Sequence, residues 1–327
     1  MKIHVISRDE VRQAVSMGQA IETVKAAFEQ LSKGRANVPI RTQLGVPLHD
    51  GVTLFMPAYL EQTDELGMKM VSVFSGNIEQ GLPTINAMVV LVDAETGLPT
   101  AIIDGTYLTA LRTGAGSGAA TDLLARADAD SVAVLGTGVQ GRTQLQAVCT
   151  VRSIEKVFVF DKRDAAAEAF RDDMADVISA EIEITSTAAR AVRGADIVCT
   201  ATTSKTPVFS DADLAPGVHV NAIGSFTPQM QELPSETVER CLLVVDSREA
   251  VWAESGDLIV PRDEGRISEN SVHAEIGEVI AGTQPGRTSD DQVTVFKAVG
   301  NAVQDVSVGA RVLEQAKKKN LGTIVEL

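Results

Sequence analysis

The sequence predicts an α/β protein in which a doubly wound, parallel-sheet domain is inserted into an α+β domain. Three observations carry this expectation. The middle of the chain alternates short apolar runs with helical segments. The first third strings apolar runs together with no helices between them, and the end of the chain returns to an amphipathic helix. Near-continuous apolar strands separated by helices indicate a parallel sheet covered on both faces, whereas strands in direct succession indicate a mainly antiparallel one. The 327 residues suit about two domains at roughly 150 residues each.

In chain order, Ser7 and Glu10 have the spacing of a capping box and open a helical periodicity that runs to Leu31, which Gly18 should divide into two helices. Strand-like segments follow at residues 40–46, 52–58, 68–74, 85–92 and 100–103, with a turn at Asp93-Ala94-Glu95-Thr96-Gly97. A helix over residues 105–127 leads into the second region. There, strands are expected at 131–135, 156–161, 181–185, 196–200, 218–223 and 242–246, with helices at 139–151 and 164–177 and in most of the other gaps. A last helix from 300 to about 319 carries Val303, Val306, Val312, Leu313 and Ala316 as its apolar stripe, and should rejoin the first domain. The expected boundaries are 1–117 with 300–327, and 118–299.

Composition narrows the function. A formal charge of −15 argues against general nucleic-acid binding, which needs a basic face. Lys317-Lys318-Lys319, the only basic run, reads as the solvated end of the last helix. The start, Met1-Lys2-Ile3-His4-Val5, lacks the apolar core of a signal peptide, and no stretch approaches the ~20 apolar residues of a membrane span. Cys149, Cys199 and Cys241 are widely separated within apolar segments. They read as small buried hydrophobes of a cytoplasmic protein, without metal-ligand spacing.

The chemistry begins at Gly136-Thr137-Gly138-Val139-Gln140-Gly141. An apolar strand precedes this motif, a helix follows it, and Asp161 ends the next strand, which is the context of a dinucleotide-binding Rossmann loop. Gly136 permits the tight turn, Gly138 lets the backbone approach a pyrophosphate, and Gly141 lets helix and strand pack closely. Asp161 would accept hydrogen bonds from the adenine-side ribose and repel a 2′-phosphate, so NAD is favoured over NADP. Lys162 and Arg163 blur that preference, because they could accept a phosphate if the chain shifted. Thr200-Ala201-Thr202-Thr203 and Ala222-Ile223-Gly224-Ser225 follow later strands, where small residues leave room for the same ligand.

Three cations sit in apolar surroundings of the first domain: Arg41, Lys69 and Arg112. Lys69 lies in a strand whose two faces both look buried. A buried charge is costly unless paired, so these residues suggest a site for a small carboxylate, with independent salt bridges to structural acids as the alternative. Arginine binds a carboxylate bidentately, and a buried lysine can also exchange a proton. His4, His49, His219 and His273 are scattered, and His219, inside a strand, reads as a satisfied core residue.

Four motifs together carry a resemblance over essentially the whole chain. These are residues 104–113 (Asp104-Gly105-Thr106 through Arg112-Thr113), Gly136-Thr137-Gly138-Val139-Gln140, Asn221-Ala222-Ile223-Gly224-Ser225, and residues 296–305 (Phe296-Lys297-Ala298 through Gln304-Asp305). In this order they resemble the ornithine cyclodeaminase/μ-crystallin family, whose members include alanine dehydrogenase, ketimine reductase, cyclic imino acid reductases and iminosuccinate reductase. The resemblance implies a homodimer joined through the first domain, and an active site between the domains. It also implies that Arg41, Lys69 and Arg112 hold the substrate carboxylate. Thr84, Arg112, Thr113, Val139, Gln140, Asp161, Thr202, Ser225 and Val299 would contact the cofactor. Two departures are evident. Leu54 stands where ornithine cyclodeaminase has an acid for the substrate's distal amine, and Phe226 stands where that enzyme has its proton-accepting aspartate.

The expected activity is therefore an NAD(H)-dependent imine reductase or amino-acid dehydrogenase. Hydride would go to C2 of a small imine derived from a 2-oxo acid, with Arg41 and Arg112 fixing the carboxylate and Lys69 as acid/base. The alternatives are a redox-neutral cyclodeaminase-like lyase with bound NAD and a non-catalytic binding protein of the μ-crystallin type.

Overall fold

The structure, a computed structural model, describes residues 1–327, the side chain of residue 78 excepted. It comprises two compact units, Met1–Arg112 with Asn301–Leu327, and Thr113–Gly300. Elements are numbered along the whole chain.

The first unit holds β1 (Lys2–Ile6), α1 (Arg8–Ala14), α2 (Met17–Ser32), β2 (Ala36–Asn37), β3 (Thr42–Val46), β4 (Gly51–Leu60), β5 (Glu65–Phe74), β6 (Ile85–Asp93), β7 (Pro99–Asp104), α11 (Ala302–Lys319) and β16 (Thr323–Glu326). Its eight strands form one sheet in the order β16-β1-β7-β6-β5-β4-β2, with β3 pairing β4. Every pairing is antiparallel except that of β1 with β7. The helical break near the N-terminus is not at Gly18, which lies inside α2. It falls at Val15–Ser16, because Ser16 and Gln19 form a reciprocal capping box that starts a new helix.

Helix α11 packs on β4, β5 and β6 and beside α2. The sheet face it covers buries Met56, Ala58, Val71, Val89 and Leu91. The opposite face behaves differently. Phe55, Met68 and Met70 are half-buried and Met88 is exposed, so β5 is buried on one face only, contrary to the two-sided burial read from its sequence.

Helix α3 (Gly105–Leu124) belongs to the first unit through Arg112 and to the second from Thr113. The boundary lies before residue 117 for a packing reason. A methyl group on Gly114 would sit 2.6 Å from the Thr143 carbonyl, and Gln144 donates to the Thr113 carbonyl at 3.4 Å. Gly300 groups with the second unit because its N–H donates to Asp246 at 2.7 Å.

The second unit continues with β8 (Ser131–Leu135), α4 (Val139–Val151), β9 (Lys156–Phe160), α5 (Asp164–Ala175), β10 (Glu181–Ile184), α6 (Ala188–Arg193), β11 (Ile197–Thr200), β12 (His219–Ala222), α7 (Ser235–Arg240), β13 (Leu242–Val245), α8 (Arg248–Glu254), α9 (Gly256–Asp263), β14 (Val272–Glu275), α10 (Ile276–Ile280) and β15 (Thr294–Lys297). All eight strands are parallel, in the order β10-β9-β8-β11-β12-β15-β13-β14. This is the doubly wound arrangement, with β8 at the reversal of strand order. Separate apolar clusters fill its two faces. One is built around Leu135, Val220, Leu243 and Leu258, the other around Val134, Leu145, Val159 and Phe170.

Cys199 is buried, Cys149 and Cys241 are half-buried, and all three are free thiols. Burial pushes their thiols up to about 12, 11 and 12 respectively. Among the described residues, no helix is long and apolar enough to cross a membrane.

Candidate active site

In the second unit, β8 delivers the chain to Gly136, whose φ of +96° is open to glycine but strained for other residues. A methyl there would also lie 2.6 Å from the Ala201 carbonyl, and one on Gly141 would overlap the Gly136 carbonyl. Gly138 differs, since nothing lies within 4 Å of where its side chain would point. It is the N-cap of α4 and supplies no side-chain cap, so the first N–H groups of that helix are left for a ligand.

Asp161, just beyond β9, ties this loop to the next strand. One carboxylate oxygen accepts from the Thr137 N–H at 3.0 Å and its hydroxyl at 2.8 Å. The other accepts from the Arg163 N–H at 3.0 Å. Burial alone would raise the Asp161 pKa, but hydrogen bonds from Thr137 and Arg163 outweigh it and hold the carboxyl below its ordinary range. Gly136, Gly138, Asp161, Lys162, Arg163 and Thr202 line a cavity of about 580 Å³.

These residues fit a dinucleotide. The turn is glycine-built, a helix start is uncapped, and an ionised carboxylate borders the cavity beside two cations. The buried Gln140 Oε1 also has no hydrogen-bond partner among the described residues. The other expected contacts lie outside this cavity's lining. Val139 is exposed and Ile223 is buried. Ser225 is fully buried, with its hydroxyl donating to the Met230 carbonyl at 2.7 Å. Val299 donates its N–H to Asp246 at 3.1 Å. His219 is a satisfied core residue, bonded to Thr294 and Asn221 at 2.9 and 3.2 Å, and burial pushes its pKa down to about 3.

In the first unit, strand alternation points Lys69 of β5 toward the face covered by α11. There Asp305, in the first turn of α11, is fully buried. Its Oδ2 pairs with Lys69 Nζ at 2.9 Å and its Oδ1 accepts from Arg112 Nε at 3.0 Å. Gln304 completes the cluster. Its Oε1 accepts from Arg112 Nη1 at 3.0 Å and its Nε2 donates to the Arg112 carbonyl at 3.1 Å. Lys69 and Arg112 are 2% and 5% exposed. The two cations therefore share one acid, an arrangement between the carboxylate site and the independent salt bridges that the sequence left open.

Arg41 is not inside a strand. It precedes β3 and is half-buried. Its charge still reaches Lys69, whose pKa falls to about 7, first through burial, then through repulsion from Arg112, with Arg41 adding to it and Asp305 opposing. Thr84 is half-buried just before β6, and its carbonyl accepts from the Phe74 N–H at 2.9 Å.

Arg41, Lys69, Arg112 and Asp305 carry three positive charges against one negative when Lys69 is protonated. Arginine has five N–H donors and lysine three, and Asp305 with Gln304 engages only some of those on Arg112 and Lys69. The arrangement can fix an anion and give or take a proton near neutral pH. Sequence reasoning gives Asp305 and Gln304 no part in the site. A signal was available in the run Gln304-Asp305, two polar residues heading the apolar stripe of the last helix.

Comparison with known proteins identifies the family. The Ornithine cyclodeaminase/mu-crystallin family matches over residues 1–320. A Delta(1)-pyrroline-2-carboxylate reductase from Bacillus cereus is 42% identical over 323 residues, covering 98% of this chain and 99% of the relative. The structure of Thermococcus litoralis Delta(1)-pyrroline-2-carboxylate reductase in complex with NADH and L-proline superposes with a TM-score of 0.96 at 42% identity, covering 99% of this chain and 100% of that one. An archaeal alanine dehydrogenase dimer with bound NAD superposes with a TM-score of 0.94 at 36% identity, each chain fully covered. The chain belongs to the ornithine cyclodeaminase/mu-crystallin family.

Proposed function

We propose that this protein is an NAD(H)-dependent reductase of small imines bearing a carboxylate at C2, with Δ1-pyrroline-2-carboxylate as the foremost substrate. The observation that carries the reading is the buried Lys69, which shares Asp305 with Arg112 and whose pKa is lowered to about 7. The 42% identity to a reductase of that imine supports the choice of substrate. The second unit serves as the NAD-binding domain and the first as the substrate-binding and dimerisation domain. Its half-exposed apolar sheet face at Phe55, Met68, Met70 and Met88 is the surface through which two copies would join. A cytoplasmic setting suits its three free thiols.

When bound, the reduced dinucleotide supplies the hydride. Gly136, Gly138, Val139, Gln140, Thr202, Ile223, Gly224, Ser225 and Val299 would hold it, with Asp161 at the adenine-side ribose and Thr84, Arg112 and Thr113 as further contacts. Arg41 and Arg112 orient the substrate carboxylate by charge-assisted hydrogen bonds. Lys69 Nζ, protonated, hydrogen-bonds the imine nitrogen, makes C2 more electrophilic, and delivers its proton as C2 is reduced. Asp305 keeps that ammonium in place. Because the carboxylate spans Lys69 and Arg112, it fixes proton donor and carboxylate clamp relative to one another.

Leu54 and Phe226 remove the two acids a diamine substrate would need, and a buried ammonium without a partner is expensive. This disfavours the lyase reading. The deciding experiment measures NADH oxidation with Δ1-pyrroline-2-carboxylate, its six-membered homologue, iminosuccinate, and pyruvate with ammonia. We expect turnover with the first and weaker turnover with the others. Saturable NADH binding with no oxidation on any of them would favour a binding protein and overturn the proposal.

A further inference from the structure

A second buried charge cluster lies in the second unit. Glu232, in the loop before α7, is fully buried and accepts four hydrogen bonds. Its Oε1 takes the Thr202 N–H at 2.6 Å and the Thr202 hydroxyl at 2.7 Å. Its Oε2 takes the Thr200 hydroxyl at 2.8 Å and the Gly224 N–H at 2.7 Å. Asp257, at the start of α9, fixes Glu232 from behind by accepting the N–H groups of Glu232 and Leu233 at 2.6 and 2.9 Å. Asp257 in turn pairs with Lys297 of β15 at 3.0 Å, both side chains fully buried.

The location is informative. Thr200–Thr202 follows β11 and Gly224 follows β12, neighbouring parallel strands. In a doubly wound sheet the ligand lies beyond the carboxyl ends of the strands, and the half that contains β11 and β12 receives the second mononucleotide. One carboxylate thus staples together the two turns of that half. Each of its oxygens accepts from a main-chain N–H, which can only donate. A methyl on Gly224 would come within 2.5 Å of Glu232 Oε1, so the turn is seated directly on the carboxylate. Burial, and then the charge of Asp257, push the Glu232 pKa up, and Lys297 opposes them. A charge held under those conditions is costly to the fold, and apolar packing could have supported two turns without it.

We infer that Glu232, braced by Asp257 and Lys297, is a positioning residue for the nicotinamide half of the dinucleotide. It holds the turns after β11 and β12 in the shape that half requires. The inference rests on the NAD(H) reading above. It predicts unequal losses between ligands, because ADP occupies only the adenine half, whose cavity meets the stapled residues at Thr202 but not at Thr200 or Gly224.

The test is calorimetric titration of wild type and Glu232→Gln with NADH and with ADP. The amide keeps the side chain's shape but sets an NH2 against a main-chain N–H. NADH affinity should fall at least about tenfold, in line with losing hydrogen bonds to a charged group, while ADP affinity falls by about threefold at most, through Thr202 alone. Equal losses for both ligands would show a general structural role and overturn the inference, as would unchanged NADH binding. Should Glu232→Gln fail to unfold cooperatively, Thr200→Val serves instead. It leaves the carboxylate and removes one donor, and should weaken NADH about two- to threefold and ADP not at all; unchanged NADH affinity there would also overturn the inference. A wild-type chain that binds no NADH would sink the cofactor reading itself, and this inference with it.

Discussion

The two units each bury a three-charge cluster, and the clusters have opposite sign. In the first unit two cations, Lys69 and Arg112, share Asp305. In the second, two carboxylates, Glu232 and Asp257, are matched by Lys297. Within the acidic cluster Glu232 is closed, since main-chain N–H groups and threonine hydroxyls occupy both of its oxygens, whereas Asp257 Oδ2 and Lys297 Nζ meet only as an ion pair. The basic cluster is open, because its donors outnumber the acceptors that Asp305 and Gln304 provide. A closed carboxylate such as Glu232 can only shape its surroundings. An open cluster has bonding capacity left for a ligand, here an anion. Net sign alone would not separate Glu232 from the Lys69–Arg112 pair; the count of satisfied donors and acceptors at each does.

The strongest way to break this contrast is Asp305→Ala, which strands two buried cations. We expect a loss of about 3–5 kcal/mol in stability, read from urea unfolding, together with loss of imine reduction. A loss below about 1 kcal/mol would mean that the pair behaves as a surface ion pair. Next comes Lys69→Met. Turnover of Δ1-pyrroline-2-carboxylate should drop at least about a hundredfold while NADH binding stays unchanged, and normal kcat would remove Lys69 from the mechanism.

The same lysine gives a pH signature. Its pKa is lowered to about 7, and reduction needs the protonated form. The reductive rate should therefore fall as pH rises past about 7, and the reverse, oxidative reaction should gain over the same range. A flat reductive profile between pH 6 and 9 would rule out this assignment.

The smallest effect lies outside both clusters. Burial pushes the Glu65 pKa up from 4.5 to about 7. A carboxyl raised on folding contributes stability that is fully present below 4.5 and is lost as pH rises through about 7. Glu65→Gln should flatten that slope in pH-dependent unfolding, and an unaltered slope would assign it to other groups.

Much of the architecture was legible in the sequence, because glycine spacing and apolar periodicity are local signals. The loop at Gly136–Gly141 and the alternation after it are sufficient for the parallel sheet. The strands β14 and β15 are not among the expected ones: Val272–Glu275 carries His273 and Glu275, and Thr294–Lys297 ends in a lysine that looks solvated yet is fully buried. Gly18 attracted the helix break although the Ser16 cap decided it, since satisfying helix-start N–H groups outweighs one flexible residue.

The site was half legible. Lys69 and Arg112 stood out as cations in apolar surroundings. Their shared partner did not, because an aspartate in a helix's first turn also reads as complementing the helix dipole, and Arg112 lies 193 residues from it. Glu232, Asp257 and Lys297 were hidden for the same reason. Their partnership exists only once β11, β12 and β15 lie side by side.

The hydrogen bonds at Asp161 bear on how cofactor choice could change over evolution. This carboxylate also holds the Thr137 N–H and hydroxyl; with Asp161 at the adenine-side ribose, as proposed, discrimination between dinucleotides and the shape of the glycine turn would be inherited together. Replacing Asp161 with alanine would admit a 2′-phosphate toward Lys162 and Arg163 but leave the turn without its acceptor. Serine or asparagine would relieve the repulsion and still accept a hydrogen bond. The passable route to a phosphorylated cofactor therefore runs through small polar residues, and a lineage that changed partners would carry one of them at this position.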